Sequence, residues 1–270
     1  MPNFGRSMLS SWAFDPDIIY LNHGTVGATP RPVLQAQQQL RDEMERQPSK
    51  FMLRDLLSQS GVTYSTKPRI RLAADKVAEF LGVRGDDLVF VDNATTGINA
   101  ILRSFKFSPG DEILFMDVAY GAIVNAAQYV AREQNAVVKF VTIPPDISSP
   151  DQVISIIQKG ITLKTRMAII DHITSESALL MPIKEITQMC HKAGVAVLVD
   201  GAHAPGAIPL NLADIGADWY VGNLHKWAYA PRGCGILWAP PERQEGLHSA
   251  VISWGMDKYF TFEFDWIGTK

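Results

Sequence analysis

From residue 85 onward, short apolar runs alternate with longer stretches whose apolar residues recur every three to four positions. Leu88 to Val91, Glu112 to Met116, Val137 to Ile143, Arg166 to Ile170, Val195 to Val199, Trp219 to Val221 and Gly235 to Trp238 are short and rich in β-branched or aromatic residues. They read as strands. Helical spacing follows Asn93 (Ile98, Ile101, Leu102, Phe105), runs from Gly121 to Arg132 and from Asp151 to Lys159, and returns from Pro182 to Gly194. Strand–helix alternation with nearly continuous apolar strands predicts an α/β chain, with a mostly parallel sheet covered on both faces. Ligands of such sheets sit at the carboxyl ends of the strands.

The first 84 residues follow a different pattern. Ile18-Ile19-Tyr20-Leu21 runs into the turn-like Asn22-His23-Gly24. Pro30 and Pro32 open a polar, Gln-rich helix to about Gln47. Thr66 to Leu81 carries Ile70, Ala73, Val77, Phe80 and Leu81 in helical register, with Gly82 as its stop. Phe51 to Val62 shows no period. The expected organisation is an arm with helices over 1–84, packed on one continuous domain over 85–270. Neither an internal repeat nor a low-complexity tract interrupts it.

Composition narrows the partners. At 270 residues and 47% hydrophobic, the chain can bury a substantial core. A net charge of −3 argues against nucleic acid or an anionic membrane as main partner, since both favour a basic face. No run reaches the roughly 18 apolar residues of a membrane helix, and Met1 to Ser11 does not read as a secretory signal. Cys190 and Cys234 form no metal-binding spacing, and a reducing cytoplasmic setting is expected.

The candidate chemistry gathers between Val195 and Gly233. An apolar strand stops at Asp200-Gly201, and Lys226 follows in Asn223-Leu224-His225-Lys226-Trp227. A strand-end carboxylate can keep a pyridine nitrogen protonated, and an amine can carry an aldehyde as a Schiff base, which makes pyridoxal 5′-phosphate (PLP) the candidate cofactor. The aromatic neighbours Trp219, Tyr220, Trp227 and Tyr229 favour partial desolvation of Lys226 and a lowered pKa. Asn93-Ala94-Thr95-Thr96-Gly97 lies between a strand and a helix, where free N–H groups and the helix dipole favour an anion. His203 lies close to Asp200, Tyr120 is placed to stack on an aromatic ring, and Ser175 to donate to a ring hydroxyl. Each residue alone has a plainer reading as cap, turn or surface side chain. GxGxxG and a Walker loop are both absent. A metal site built from Asp171, His172, Asp200, His203 and His225 is the competing constellation, but these residues have no metal-ligand spacing and the reading leaves Lys226 and the Thr95-Thr96 turn unused.

Taken in order, Asn93-Ala94-Thr95-Thr96-Gly97, Val199-Asp200-Gly201-Ala202-His203 and Asn223-Leu224-His225-Lys226-Trp227 resemble the class V aminotransferase family of fold-type I PLP enzymes. Within it the chain is most similar to the isopenicillin N epimerase-like branch, with the cysteine desulfurases more distant. The likeness runs from Tyr20-Leu21-Asn22-His23-Gly24 to Asp265-Trp266-Ile267-Gly268-Thr269. It implies the three-layer large domain of a PLP-dependent transferase. Lys226 then carries the cofactor and Asp200 partners its ring nitrogen. Thr95, Thr96, Asn223 and His225 hold the phosphate, Tyr120 stacks where the desulfurases have a histidine, and His203 and Ser175 contact the ring oxygen. Asn22, His23 and Gly24 line the substrate side. Gly268 and Thr269 reach the neighbouring subunit's phosphate, so a homodimer with shared sites is implied.

In this family a smaller C-terminal domain of about a hundred residues normally carries the arginine that binds the substrate carboxylate; the chain stops at Lys270, so that domain is expected to be missing here. Two functions follow from the resemblance. One is an enzyme acting on an amino acid by epimerase, aminotransferase or lyase-type chemistry at Cα; the other is a catalytically incomplete PLP-binding or assembly module. Desulfuration needs a nucleophilic cysteine on a mobile loop, which neither Cys190 nor Cys234 supplies.

Overall fold

The computed structural model describes residues 5–56 and 67–252. The seven expected strands form one sheet: β1 (Leu88–Val91), β2 (Glu112–Met116), β3 (Val137–Val141), β4 (Thr165–Asp171), β5 (Ala196–Gly201), β6 (Trp219–Asn223) and β7 (Gly235–Trp238). Their order is β1-β7-β6-β5-β4-β2-β3. β7 alone runs against its neighbours, pairing antiparallel with both β1 and β6. The other four pairings are parallel.

The helices are α1 (Arg31–Arg46), α2 (Pro48–Lys50), α3 (Arg69–Leu81), α4 (Ala94–Ser104), α5 (Gly121–Gln134), α6 (Pro150–Gly160), α7 (Ile183–Lys192) and the short α8 (Leu212–Ile215). α2 runs into a π-type turn over Phe51–Leu56, within the stretch that shows no period in sequence. Pro30 stands at the N-cap of α1 with Pro32 in its first turn. α3 starts at Arg69, because Pro68 fixes an extended φ/ψ before it, and stops where Gly82 turns left-handed at φ 71°. Thr66, the expected start, lies outside the described residues.

Alternation along the strands makes two cores, one on each face of the sheet. Ile169 and Leu198 point to the face covered by α4 and α5, with Ile98, Ile101 and Ile123. Ile170, Val197 and Val199 point to the face covered by α3, α6 and α7, with Leu81, Ile157 and Ile186. Each fully buried aliphatic side chain contributes about 1.5–3 kcal/mol. Ala74, Ala78 and Leu81 place part of the 1–84 stretch inside the second core rather than on the surface.

Two ends differ from the sequence pattern for local reasons. β3 leaves the ladder at Val141 because the Ile143 N–H donates instead to Asp117 Oδ1 at 2.9 Å. α5 continues two residues past Arg132 and is closed by Asn135 in the left-handed region. The apolar run Ile18-Ile19-Tyr20-Leu21 forms no strand. Ile19 and Leu21 are exposed, and the chain turns at Asn22, whose Oδ1 accepts the Thr25 N–H at 3.1 Å.

Candidate active site

The cleft is built at the carboxyl ends of β1, β2, β4, β5 and β6. Asn93 caps α4, its Oδ1 accepting the Thr96 N–H at 2.9 Å. The Ala94 N–H donates to Asn223 Oδ1 at the end of β6, also at 2.9 Å. The first turn of α4 is thereby tied to the sheet. Thr95 and Thr96 line the cleft at the positive end of the helix dipole, the Thr96 hydroxyl also donating to Asn93 Oδ1 at 3.3 Å. Among the described residues nothing bonds the amide NH₂ of Asn223, so it too can meet an anion. His225 also lines the cleft, its Nδ1 held 2.9 Å from the Cys234 carbonyl oxygen.

Opposite this cradle stand two carboxylates. Asp171 ends β4 and Asp200 lies on β5. They are register partners, each following a buried apolar residue, and each is only 4% exposed. Cross-strand partners on one face are neighbours about 5 Å apart. Burial pushes Asp171 up to about 8, and the neighbouring Asp200 adds to this. The N–H groups of Tyr120 and of Asp171 itself, with the Lys226 cation, pull the other way. Burial also raises Asp200, against the Ala202 N–H, which donates to its Oδ1 at 3.0 Å, and against Lys226.

Lys226 sits on the connection between β6 and β7. The Leu224 and His225 N–H groups both donate to the Cys234 carbonyl, and the Ala230 N–H donates to Leu224. The N-terminal turn clasps the same connection. Thr29 Oγ1 donates to the Ala230 carbonyl, and Arg232 donates to the Gly27 carbonyl, both at 3.2 Å. Gly27 (φ 57°) lies so close that an added Cβ would stand 1.7 Å from the His225 carbonyl oxygen.

Lys226 Nζ is 3.2 Å from His203 Nε2, and the Trp227 indole N–H donates to His203 Nδ1 at 3.3 Å. Burial lowers Lys226, while the Asp200 and Asp171 charges partly restore it. Burial, then the Lys226 charge, lowers His203 to about 4.

The cavity holds about 400 Å³, within the range of small-molecule sites. It brings together Thr95, Thr96, Tyr120, Ser175, Asp200, His203, Asn223, His225 and Lys226, all expected from the sequence. A second cavity of about 410 Å³ opens beside it, walled by Asn22, Gly24, Leu21 and Trp227, and shares Lys226 and His203 with the first. His23 lines neither cavity. Its ring is packed among Trp12, Phe14, Tyr20, Trp227 and Tyr229, with Nδ1 accepting the Ala28 N–H. Gly268 and Thr269 lie outside the described residues.

Thr25 joins the site without a sequence signal, Asp171 joins it although the sequence offers it only to a metal constellation, and Trp227, expected as an aromatic neighbour of Lys226, also walls the second cavity. For Asp171 the signal was present: like Asp200, it ends a buried strand run. His172 points to the opposite face, where its Nδ1 lies 2.9 Å from the Tyr220 hydroxyl. The five acidic and imidazole groups therefore do not converge, and among the described residues no set of three metal-ligating side chains does.

Residues 19–263 match the family model described as Aminotransferase class-V. The chain is 31% identical over 275 residues to a probable chloroplastic L-cysteine desulfhydrase of Arabidopsis thaliana, covering 95% of this chain and 56% of that protein. It is 32% identical over 246 residues to isopenicillin N epimerase of Amycolatopsis lactamdurans, covering 90% and 59% respectively. The chain thus spans a little over half the length of these curated relatives. Among solved structures, the cystine C–S lyase C-DES superposes with a TM-score of 0.75 at 23% identity, covering 88% of this chain and 61% of that one. The apo cysteine desulfurase of Thermococcus onnurineus NA1 gives 0.76 at 17% identity, covering 100% and 67%. These likenesses show the fold. With the family match spanning most of its length and the three motifs meeting in one cleft, the chain belongs to the class-V aminotransferases, on the side of the isopenicillin N epimerases and cysteine desulfhydrases.

Proposed function

We propose that this chain is a PLP-dependent enzyme that acts on an amino acid at Cα, with Lys226 as the residue that carries the cofactor. One observation supports this above the rest. A half-buried amine, a buried carboxylate and the N-terminus of α4 face one cavity from three sides. PLP presents an aldehyde, a pyridine nitrogen and a phosphate, and each has a chemically matching wall here. When bound, PLP supplies an electron sink for negative charge developing at Cα.

The chain's own residues divide the remaining work. The Thr95 N–H, the Thr95 and Thr96 hydroxyls, the Asn223 amide and His225 hold the phosphate end against the helix dipole. Asp200 keeps a proton on the ring nitrogen, and the Tyr120 ring covers one face of the cavity. His203 and Ser175, which line the same cavity, would meet the ring oxygen. With the cofactor held there, Lys226 would stand as the base for the proton at Cα, and burial, by lowering its pKa, leaves more of it as the free amine that such a base requires. The cavity by Leu21, Asn22, Gly24 and Trp227 receives the substrate side chain.

Where Lys226 returns the proton, and what leaves the substrate, decides between epimerisation, transamination and elimination. The relatives named as desulfhydrases and epimerases lie on different branches of that choice. Burial pushes Cys190 up to about 12 and Cys234 up to about 11, so neither thiol is a ready nucleophile. The same reading makes the working unit a cytoplasmic homodimer, with Thr269 of one copy at the phosphate of the other and 1–84 acting as an arm on 85–270. No helix among the described residues is long and apolar enough to cross a membrane.

The test is direct. Protein loaded with PLP should absorb in the near-ultraviolet to visible range, and borohydride should fix the cofactor to the peptide containing Lys226. If Lys226→Ala keeps the same absorbance and the same reducible adduct, the assignment is wrong. Exchange of Cα hydrogen for solvent deuterium across a panel of amino acids then separates turnover from mere binding.

A further inference from the structure

The contacts around His203 admit one protonation pattern. An indole nitrogen donates and never accepts. Trp227 Nε1 donates to His203 Nδ1 at 3.3 Å, so Nδ1 carries the lone pair. In the neutral ring the proton then sits on Nε2, which lies 3.2 Å from Lys226 Nζ. An ammonium is also donor-only, so a charged Lys226 would set N–H against N–H; a neutral amine accepts the Nε2 proton. Gly24 makes room for this arrangement: an added Cβ would stand 3.1 Å from Trp227 Cζ2 and 3.4 Å from His203 Cε1.

We infer that Trp227 is a positioning residue which locks His203 in the Nε2–H tautomer and, through it, holds Lys226 as the free amine that can attack a carbonyl. The inference rests on the reading of Lys226 as the cofactor-carrying residue. Other groups facing Lys226 act on its charge as well. Asp171 from β4 and Asp200 from β5 favour the ammonium, while His203 and His225 are themselves lowered by it. Burial opposes the two carboxylates. The tautomer lock adds a directional preference that burial alone lacks, because it removes the lone pair an ammonium would need.

The test uses the apoprotein and needs no turnover. Nitrogen NMR of the histidine rings should show His203 Nδ1 unprotonated and Nε2 protonated through the neutral range. Acetic anhydride labelling of the Lys226 peptide across a pH series, followed by mass spectrometry, gives the lysine's titration. Trp227→Phe keeps most of the packing but removes the donor; it should produce a mixture of tautomers and raise the Lys226 pKa. Labelling near neutral pH should then slow about tenfold per unit of that rise.

His203→Phe removes both ring nitrogens, so adding Trp227→Phe in that background should leave Lys226 labelling unchanged. An Nδ1–H tautomer in the native protein overturns the proposal. So does wild-type labelling in Trp227→Phe, or an equal Trp227→Phe effect with and without His203, which would mark the indole as packing alone. Should borohydride fail to fix PLP on Lys226 while the tautomer data hold, the cofactor reading fails and the lock stands.

Discussion

Replacing Gly27 by alanine tests whether the N-terminal turn sets the position of the lysine. The added Cβ would meet the His225 carbonyl oxygen at 1.7 Å, against a working minimum of 3.0 Å, so the two chains must separate by at least the difference, 1.3 Å. The φ of 57° at Gly27 adds about 1–2 kcal/mol of strain for any L side chain. That strain alone should lower the melting temperature of the apoprotein by a few degrees for a chain of this size. Displacement of the Lys226 connection should do more to function, since about 1 Å of misplacement costs on the order of 100-fold, equal to about 2.7 kcal/mol. The rate at which PLP added to the apoprotein forms the absorbing adduct that borohydride fixes at Lys226 measures this loss, beside a thermal melt. A wild-type rate of adduct formation in Gly27→Ala, whether or not the melt shifts, refutes the idea that this turn positions the lysine.

Asp171, raised to about 8 by burial and by Asp200, holds its proton in the folded state where the unfolded chain has lost it. Its contribution to stability is present below about pH 4 and disappears as pH rises through about 8, with a slope on the order of 1 kcal/mol per unit. Urea melts of the apoprotein at mildly acidic and mildly alkaline pH should show this fall in the native protein and a flatter profile in Asp171→Asn. Equal profiles would remove Asp171 from the titrating pair. Both thiols should resist iodoacetamide at neutral pH in the folded protein, because burial keeps them protonated; labelling of Cys234 at the rate of free cysteine would contradict its placement. Tyr220→Phe leaves His172 Nδ1 without its 2.9 Å partner in a buried setting and should cost about 1–3 kcal/mol by denaturant unfolding. An unchanged midpoint would show that the pair is not a stabilising contact.

Local chemistry makes much of this site legible in the sequence itself. β-branched runs mark strands, Asn93 caps a helix, and Asp200 and Lys226 stand at strand ends where open α/β sheets bind ligands. What stayed hidden depends on partners distant in the chain. Asp171 and His172 are adjacent, yet the pleat sends one into the cleft and the other under the sheet to Tyr220. Only register shows that Asp171 stands beside Asp200. Asn22-His23-Gly24 looked uniform, but Trp12, Phe14 and Tyr229 draw the His23 ring away while Gly24 stays at the wall. The Gly235 to Trp238 run reads as a strand without revealing its direction. The Trp227–His203 contact likewise needs two loops packed together before it exists.

The reversed β7 has a consequence for how the protein is made. Among the described residues β1 is the first strand in the chain, but its one neighbour in the sheet is β7, the last. The anion cradle follows β1 directly, and its Asn93 backbone packs against Gly235 of β7, while Ala94 waits for Asn223 of β6. Contacts separated by so much chain form late and carry a large closure entropy. The cradle thus precedes in the chain the strands that complete it, and is set in place only when they pair. A ligand bridging Thr95 and Lys226 would bind only after the sheet has closed, and by mass action it would then hold the closed form. A cofactor held by this cradle would therefore report that the sheet is complete.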